Sequence, residues 1–161
     1  MSSIVARARE LGRYLDDREP LIRDGEITGS HLLGVSKKAG QMFEALLSAT
    51  LLEIIRKSGF SYEADLKPKL RNQKPYDRLT LGERVECFSM IMDRGGAKGI
   101  SDPSLKLTNV LRKISRLRSD IEHKPSEQSL RDRTLEMMEL LRVAIGDSLF
   151  HADTSTRSSN S

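Results

Sequence analysis

Between residues 105 and 121 the apolar side chains Leu105, Leu107, Val110, Leu111, Ile114, Leu117 and Ile121 recur mostly at intervals of three and four. That is the period of an α-helix, in which about 100° of rotation per residue gathers such positions on one face. The same rhythm fills most of the chain. Ile4, Ala8, Leu11 and Leu15 draw an apolar face over residues 3–18. A longer periodic run from Ser30 to Lys57 carries Leu32, Leu33, Met42, Phe43, Leu46, Leu47, Thr50, Leu51, Ile54 and Ile55, and Gly59 stands where a left-handed residue closes a helix. Gly34 and Gly40 weaken its first third, which predicts a kink or a separate short helix there.

The breaks between these runs have recognisable chemistry. Residues 18–30, with Pro20, Gly25 and Gly29, read as a connector. Residues 60–78 contain Pro68, Pro75 and the bases Lys67, Lys69, Arg71, Lys74 and Arg78, and predict a basic loop or a short irregular helix. Thr80 and Glu83 form a capping box ahead of a helix over 81–93, whose buried stripe is Val85, Phe88, Ile91 and Met92. DRGGAKGISDPS then interrupts with three glycines; it lacks the spacing, and the Ser or Thr after Lys, of a phosphate-cradling loop. Asp102 and Pro103 are a helix cap and a first-turn proline, opening a helix over 103–123 that Pro125 ends. Ser126 caps a last helix to about residue 149, with Leu130, Leu135, Met138, Leu141, Val143, Ile145 and Leu149 as its apolar positions.

Aromatic residues make up only 4% of the 161 residues, Trp is absent, and runs of Val, Thr, Tyr and Phe that would build strands are missing. The expected fold is therefore all-α: an up-and-down bundle of four to five helices, forming a single domain over residues 1–150 with a disordered polar tail at 151–161. No stretch approaches the roughly 20 apolar residues of a membrane span, and MSSIVARARELGRYLDD has no continuous apolar run like a signal peptide's. A lone cysteine, Cys87, cannot form an internal disulfide. Together these predict a soluble cytoplasmic protein with no membrane partner.

Charge narrows the function. The 27 Lys and Arg exceed the 23 Asp and Glu by four, and the segment from Lys106 to Lys124 alone has an excess of four: Lys106, Arg112, Lys113, Arg116, Arg118 and Lys124 against Asp120 and Glu122. A polyanion such as nucleic acid suits that segment. His31, His123 and His151 lie far apart and at no ligand spacing, so no metal site and no cofactor are expected. Cys87 in an amphipathic helix reads as a small buried hydrophobe, and adjacent Asp16 and Asp17 diverge on a helix as a solvated end.

RLRSDIEHKP, residues 116–125, is the remaining candidate. Asp120 and Arg116, four apart, are positioned for a surface ion pair. Arg118 and His123 are about 140° apart around an ideal helix. His123 lies in the last turn, where the helix dipole favours a positive charge, and Pro125 frees the ring to swing toward Arg118. A histidine moving a proton beside an arginine holding a phosphate suits RNA cleavage without a metal. The same two residues also read as the solvated end of a helix.

LRKISRLRSDIEHKP, with Arg118 followed by four residues and then His123 on the penultimate helix of an all-helical chain, resembles the HEPN superfamily, whose ribonucleases carry Arg-x(4–6)-His. LTLGERVECF, ahead of the glycine-rich break, looks like the segment leading into that helix in several HEPN branches, and the resemblance covers roughly residues 30–150. It implies a homodimeric, metal-independent endoribonuclease in which the motif helices of two protomers meet in a shared cleft. Carried over, Arg118 would bind phosphate and His123 would act as acid and base. Ser119 stands where many members have Asn and would be the supporting polar residue. By charge alone, Arg112, Lys113, Arg116 and Lys124 are candidates for RNA backbone contacts. Such proteins often act as toxins or phage-defence effectors with an antitoxin or defence-system partner. Pro125 replaces the Tyr of members silenced by adenylylation, so that control is not expected. HEPN domains can also be non-catalytic; the alternative is then a helical dimer that binds RNA, nucleotide or a partner protein.

Overall fold

A computed structural model describes residues 3–93, 104–123 and 125–151, apart from the side chains of 104–106. The glycine-rich break, the Asp102–Pro103 helix start, Lys124 and the tail from residue 152 lie outside the described residues, as do the side chains of Leu105 and Lys106. The protein is all-α, with no strand among the described residues. Its main elements are α1 (Ser3–Arg23), α2 (Gly29–Ser58), α3 (Leu81–Asp93), α4 (Ser104–Glu122) and α5 (Glu127–Ile145). No helix among the described residues is long and apolar enough to cross a membrane.

One contiguous core holds the bundle together. Leu11, Leu15 and Ile22 of α1 meet Leu32, Phe43, Leu46, Leu47 and Leu51 of α2, Phe88 and Ile91 of α3, Leu111 and Ile114 of α4, and Met137, Met138 and Leu141 of α5, all fully buried. Helix α2 is central: it packs against each of the other four, while α4 lies between α3 and α5. Phe150, on a short 3₁₀ turn at Ser148–His151, closes one end edge-on to Phe43, with ring centroids 6.2 Å apart.

Several boundaries differ from the sequence expectation, each for a local reason. Helix α1 runs past residue 18 and through Pro20 to Arg23. Pro20 removes the hydrogen bond to the Asp16 carbonyl, but both residues are exposed to solvent, and the added turn buries Ile22 completely. Two residues past the helix end, Gly25 takes the left-handed conformation, φ +80°. Helix α2 is one unbroken element despite Gly34 and Gly40. Its end does follow expectation, with Gly59 at φ +81°. Residues 60–78 form a π-helical turn at Tyr62–Leu66 and 3₁₀ turns at Lys67–Lys69 and Tyr76–Arg78. The last helix stops at Ile145 rather than near 149, because Gly146 yields to the 3₁₀ turn that buries Leu149 and Phe150. Val143, expected on the buried stripe of α5, is 50% exposed. Ser126 caps α5 as expected, accepting from the Ser129 amide at 3.3 Å.

Candidate functional site

The arginine and the histidine of the motif leave α4 in different directions. Arg118 stands beside the buried positions Leu117 and Ile121, and its side chain crosses α2 directly over Gly40. A Cβ at residue 40 would lie 3.0 Å from Arg118 Nε and 3.1 Å from its Cδ, so the missing side chain makes room for the crossing. One turn further along α2, Glu44 Oε1 accepts from Arg118 Nη1 at 2.6 Å. This is a charge-assisted hydrogen bond, and it leaves the Arg118 side chain only 19% exposed.

Glu44 is shared. Its second oxygen accepts from Arg84 Nη1 of α3 at 3.1 Å. The Arg84 side chain is 6% exposed; it also donates to the Leu79 carbonyl, to the Tyr76 carbonyl at 3.0 Å, and lies 5.2 Å over the Tyr76 ring. The Tyr76 hydroxyl in turn donates to the Ser48 carbonyl at 2.7 Å. Two guanidinium groups thus divide one carboxylate, and the cluster keeps a net positive charge. Its outer face opens into a cleft of about 380 Å³ lined by Glu44, Arg118, Ser115, Ser119 and Glu122, with Thr80, Leu81 and Gly82 at the start of α3. The expected capping box forms there: the Glu83 amide donates to Thr80 Oγ1 at 3.2 Å, and the Thr80 amide to Glu83 Oε1 at 2.9 Å. Gly82 lets α3 approach Ser115, whose Oγ would stand 3.2 Å from a Cβ at that position. The cleft therefore combines hydroxyl groups, one arginine, the Glu44 and Glu122 carboxylates and the start of a helix already closed by its capping box.

His123 does not line this cleft and does not swing toward Arg118. Its exposed ring folds back along its own helix, with Nδ1 2.7 Å from the Ser119 carbonyl. A carbonyl only accepts, so Nδ1 carries the hydrogen and Nε2 is left to take or give a proton. Within one chain the two motif residues are not brought together. Ser119 serves both, through its side chain in the cleft and its carbonyl under the imidazole.

The surrounding bases divide. Arg112 is half-buried and donates through Nη2 to Ser89 Oγ of α3 at 2.8 Å, so it joins two helices rather than facing outward. Lys113 and Arg116 are exposed on one strip of α4. The expected Arg116–Asp120 pair is replaced by Asp120 with Arg133 of α5, at 3.6 Å, because Arg133 reaches across the α4–α5 interface. Lys124 lies outside the described residues. Cys87 is buried as expected, and burial pushes its thiol up to about 11, which leaves it a poor nucleophile. Among the described residues no group of three His, Cys, Asp or Glu side chains stands close enough to hold a metal ion.

Glu44 and Arg84 carry no expectation from the sequence, and Gly40 stood out there only as a weak point of its helix. Arg84 had a signal, a charge at a buried position between Leu81 and Phe88; the pairing of Glu44 with a residue 74 positions away had none. Compared with family models, with curated proteins and with solved structures, the chain finds no match.

Proposed function

We propose that the protein is a metal-independent endoribonuclease of the HEPN type, acting as a homodimer in which α4 of each protomer contributes Arg118 and His123 to a shared cleft. The observation that carries this reading is the tethered imidazole of His123: its Nδ1–H held on the Ser119 carbonyl, its ring exposed on the same helix end whose Arg118 lines a cleft of hydroxyl groups. In the reaction, Nε2 of one histidine accepts the proton of an RNA 2′-hydroxyl. The 2′-oxygen bonds to the adjacent phosphorus and the bond from phosphorus to the 5′-oxygen breaks. The imidazolium of the second protomer protonates that leaving oxygen. Arg118 holds the charge that builds on the phosphoryl oxygens. The products end in a 2′,3′-cyclic phosphate and a 5′-hydroxyl. A toxin or phage-defence role, with a neutralising partner protein, fits such an activity.

The second reading is a non-catalytic helical dimer that binds RNA, nucleotide or a partner protein. The 2.6 Å bond from Arg118 to Glu44 favours it, since that bond already gives the arginine a structural task.

Incubation with labelled tRNA and total RNA in EDTA separates the two. The wild-type chain is expected to release cyclic-phosphate ends. His123→Ala should slow cleavage by about 10²–10⁴-fold, and Arg118→Ala by about 10²–10³-fold. Arg118→Lys, which keeps the charge, controls for folding. Intact RNA in the wild-type lane, or equal cleavage in every lane, rejects the nuclease.

A further inference from the structure

On the side of α2 next to the Gly40–Glu44 face, a groove of about 360 Å³ runs between α1 and α2. Arg7 of α1 and Lys37 and Lys38 of α2 line it, with Glu10 as its one carboxylate and Gly34 and Met42 among its small and apolar wall. Arg7, Tyr14 and Arg18 fall within about 40° on one face of α1. Arg18 Cζ lies 4.8 Å, and Lys38 Nζ 5.3 Å, from the centroid of the Tyr14 ring, so two cations from different helices converge on one aromatic side chain. On the same two helices Arg23 pairs with Glu19 and Arg56 with Glu53, while Arg9 and Arg13 pair with no carboxylate among the described residues. Among the described residues none of Arg7, Arg18, Lys37 and Lys38 forms an ion pair. The groove, about 16 Å long from Gly34 to Ala45, thus holds three cations against one carboxylate, a net positive charge that an extended polyanion relieves.

We propose that this α1–α2 groove is a second binding site of the chain, and that its occupant is the phosphate backbone of single-stranded RNA. The choice of RNA rests on the nuclease reading above; the charge and shape of the groove do not. An anionic membrane fits less well: the exposed large apolar side chains, Leu52 and Val143, lie outside the groove, so no apolar wedge accompanies the charge. Lys37 stands two turns before Glu44 on nearly the same line of α2. A strand leaving the groove past Lys37 therefore meets the Arg118 cleft, and the groove holds the substrate while the cleft acts on it.

The test measures binding of a fluorescein-labelled oligouridylate by anisotropy across a salt series, with the full chain carrying His123→Ala so that RNA survives. Arg7→Glu with Lys38→Glu is expected to weaken binding by about tenfold or more and to lower the salt slope by about 0.7 for each phosphate that is no longer neutralised. Arg56→Glu, at the far end of α2, is expected to bind like the parent. Where the reversed pair melts early by circular dichroism, Arg7→Gln with Lys38→Gln replaces it. Binding within about twofold of the parent, an equal loss in Arg56→Glu, or binding to phosphatidylserine vesicles without RNA binding overturns the proposal. Groove-dependent binding by a wild-type chain that cleaves nothing rejects the nuclease and keeps the groove. Cleavage that is intact in the groove variant, with unchanged binding, does the reverse.

Discussion

Two glycines in α2 face opposite demands. Gly34 is exposed, and a Cβ there would meet nothing within 4 Å. Gly34→Ala should therefore stabilise the helix by roughly 0.5–1 kcal/mol, read as a higher urea midpoint. At Gly40 the same gain in helix propensity is set against a Cβ 3.0 Å from Arg118 Nε, and the arginine cannot retreat without leaving Glu44. Gly40→Ala should gain no stability, and in the RNA assay it should behave as a partial loss of Arg118. An increase in midpoint matching that of Gly34→Ala would show that Arg118 does not need the gap. Glu44→Gln should cost roughly 1–3 kcal/mol, because Arg84 then keeps its charge in a buried place with carbonyls alone for partners. Chemical denaturation of the variant beside wild type measures that loss. Gly40 looked like a weak point in the sequence, because its purpose lies on another helix.

Helix existence was legible in the sequence where one face is apolar over several turns. The stripe of α4 from Leu107 to Ile121, the capping box of α3, the serine cap of α5 and the left-handed Gly59 all follow from local chemistry, and all are present. Boundaries were less legible wherever burial at a distance decides them. Pro20 yields to the burial of Ile22, and α5 stops short because Phe150 finds Phe43. The link between α1 and α5 was equally invisible: Arg142 donates to Asp16 at 2.6 Å and to Glu19 at 2.9 Å, and Glu19 also accepts from Arg23. Burial pushes the Glu19 carboxyl up, but the hydrogen bonds and charges of Arg23 and Arg142 outweigh it and leave the group below its ordinary 4.5. A carboxyl depressed in the folded state contributes stability that is full above its unfolded value and lost as pH falls through its folded one. The stability of the wild-type chain should thus drop on acidification below about pH 4.5, and Glu19→Gln should flatten that part of the profile. Equal slopes for the two chains in urea melts across this window would remove Glu19 from the account.

At the scale of the whole molecule the proposed cleft calls for more than one chain. In one chain Arg118 turns in to α2 and His123 turns back along α4, so the nuclease reading needs a second copy to complete its cleft. Light scattering at micromolar concentration should give twice the 18.1 kDa mass of the chain; a monomer that still cleaves RNA would reject the shared cleft. The Arg84–Glu44–Arg118 cluster also bears on how such a protein can change over generations. Were Arg118 replaced, Glu44 would still hold Arg84, and the bundle would keep its buried charge compensated. The proposed cleavage would slow while the scaffold and its α1–α2 groove survived. If the proposed nuclease is real, a lineage built on this cluster could exchange it for a binding protein in one substitution, without first passing through an unfolded ancestor.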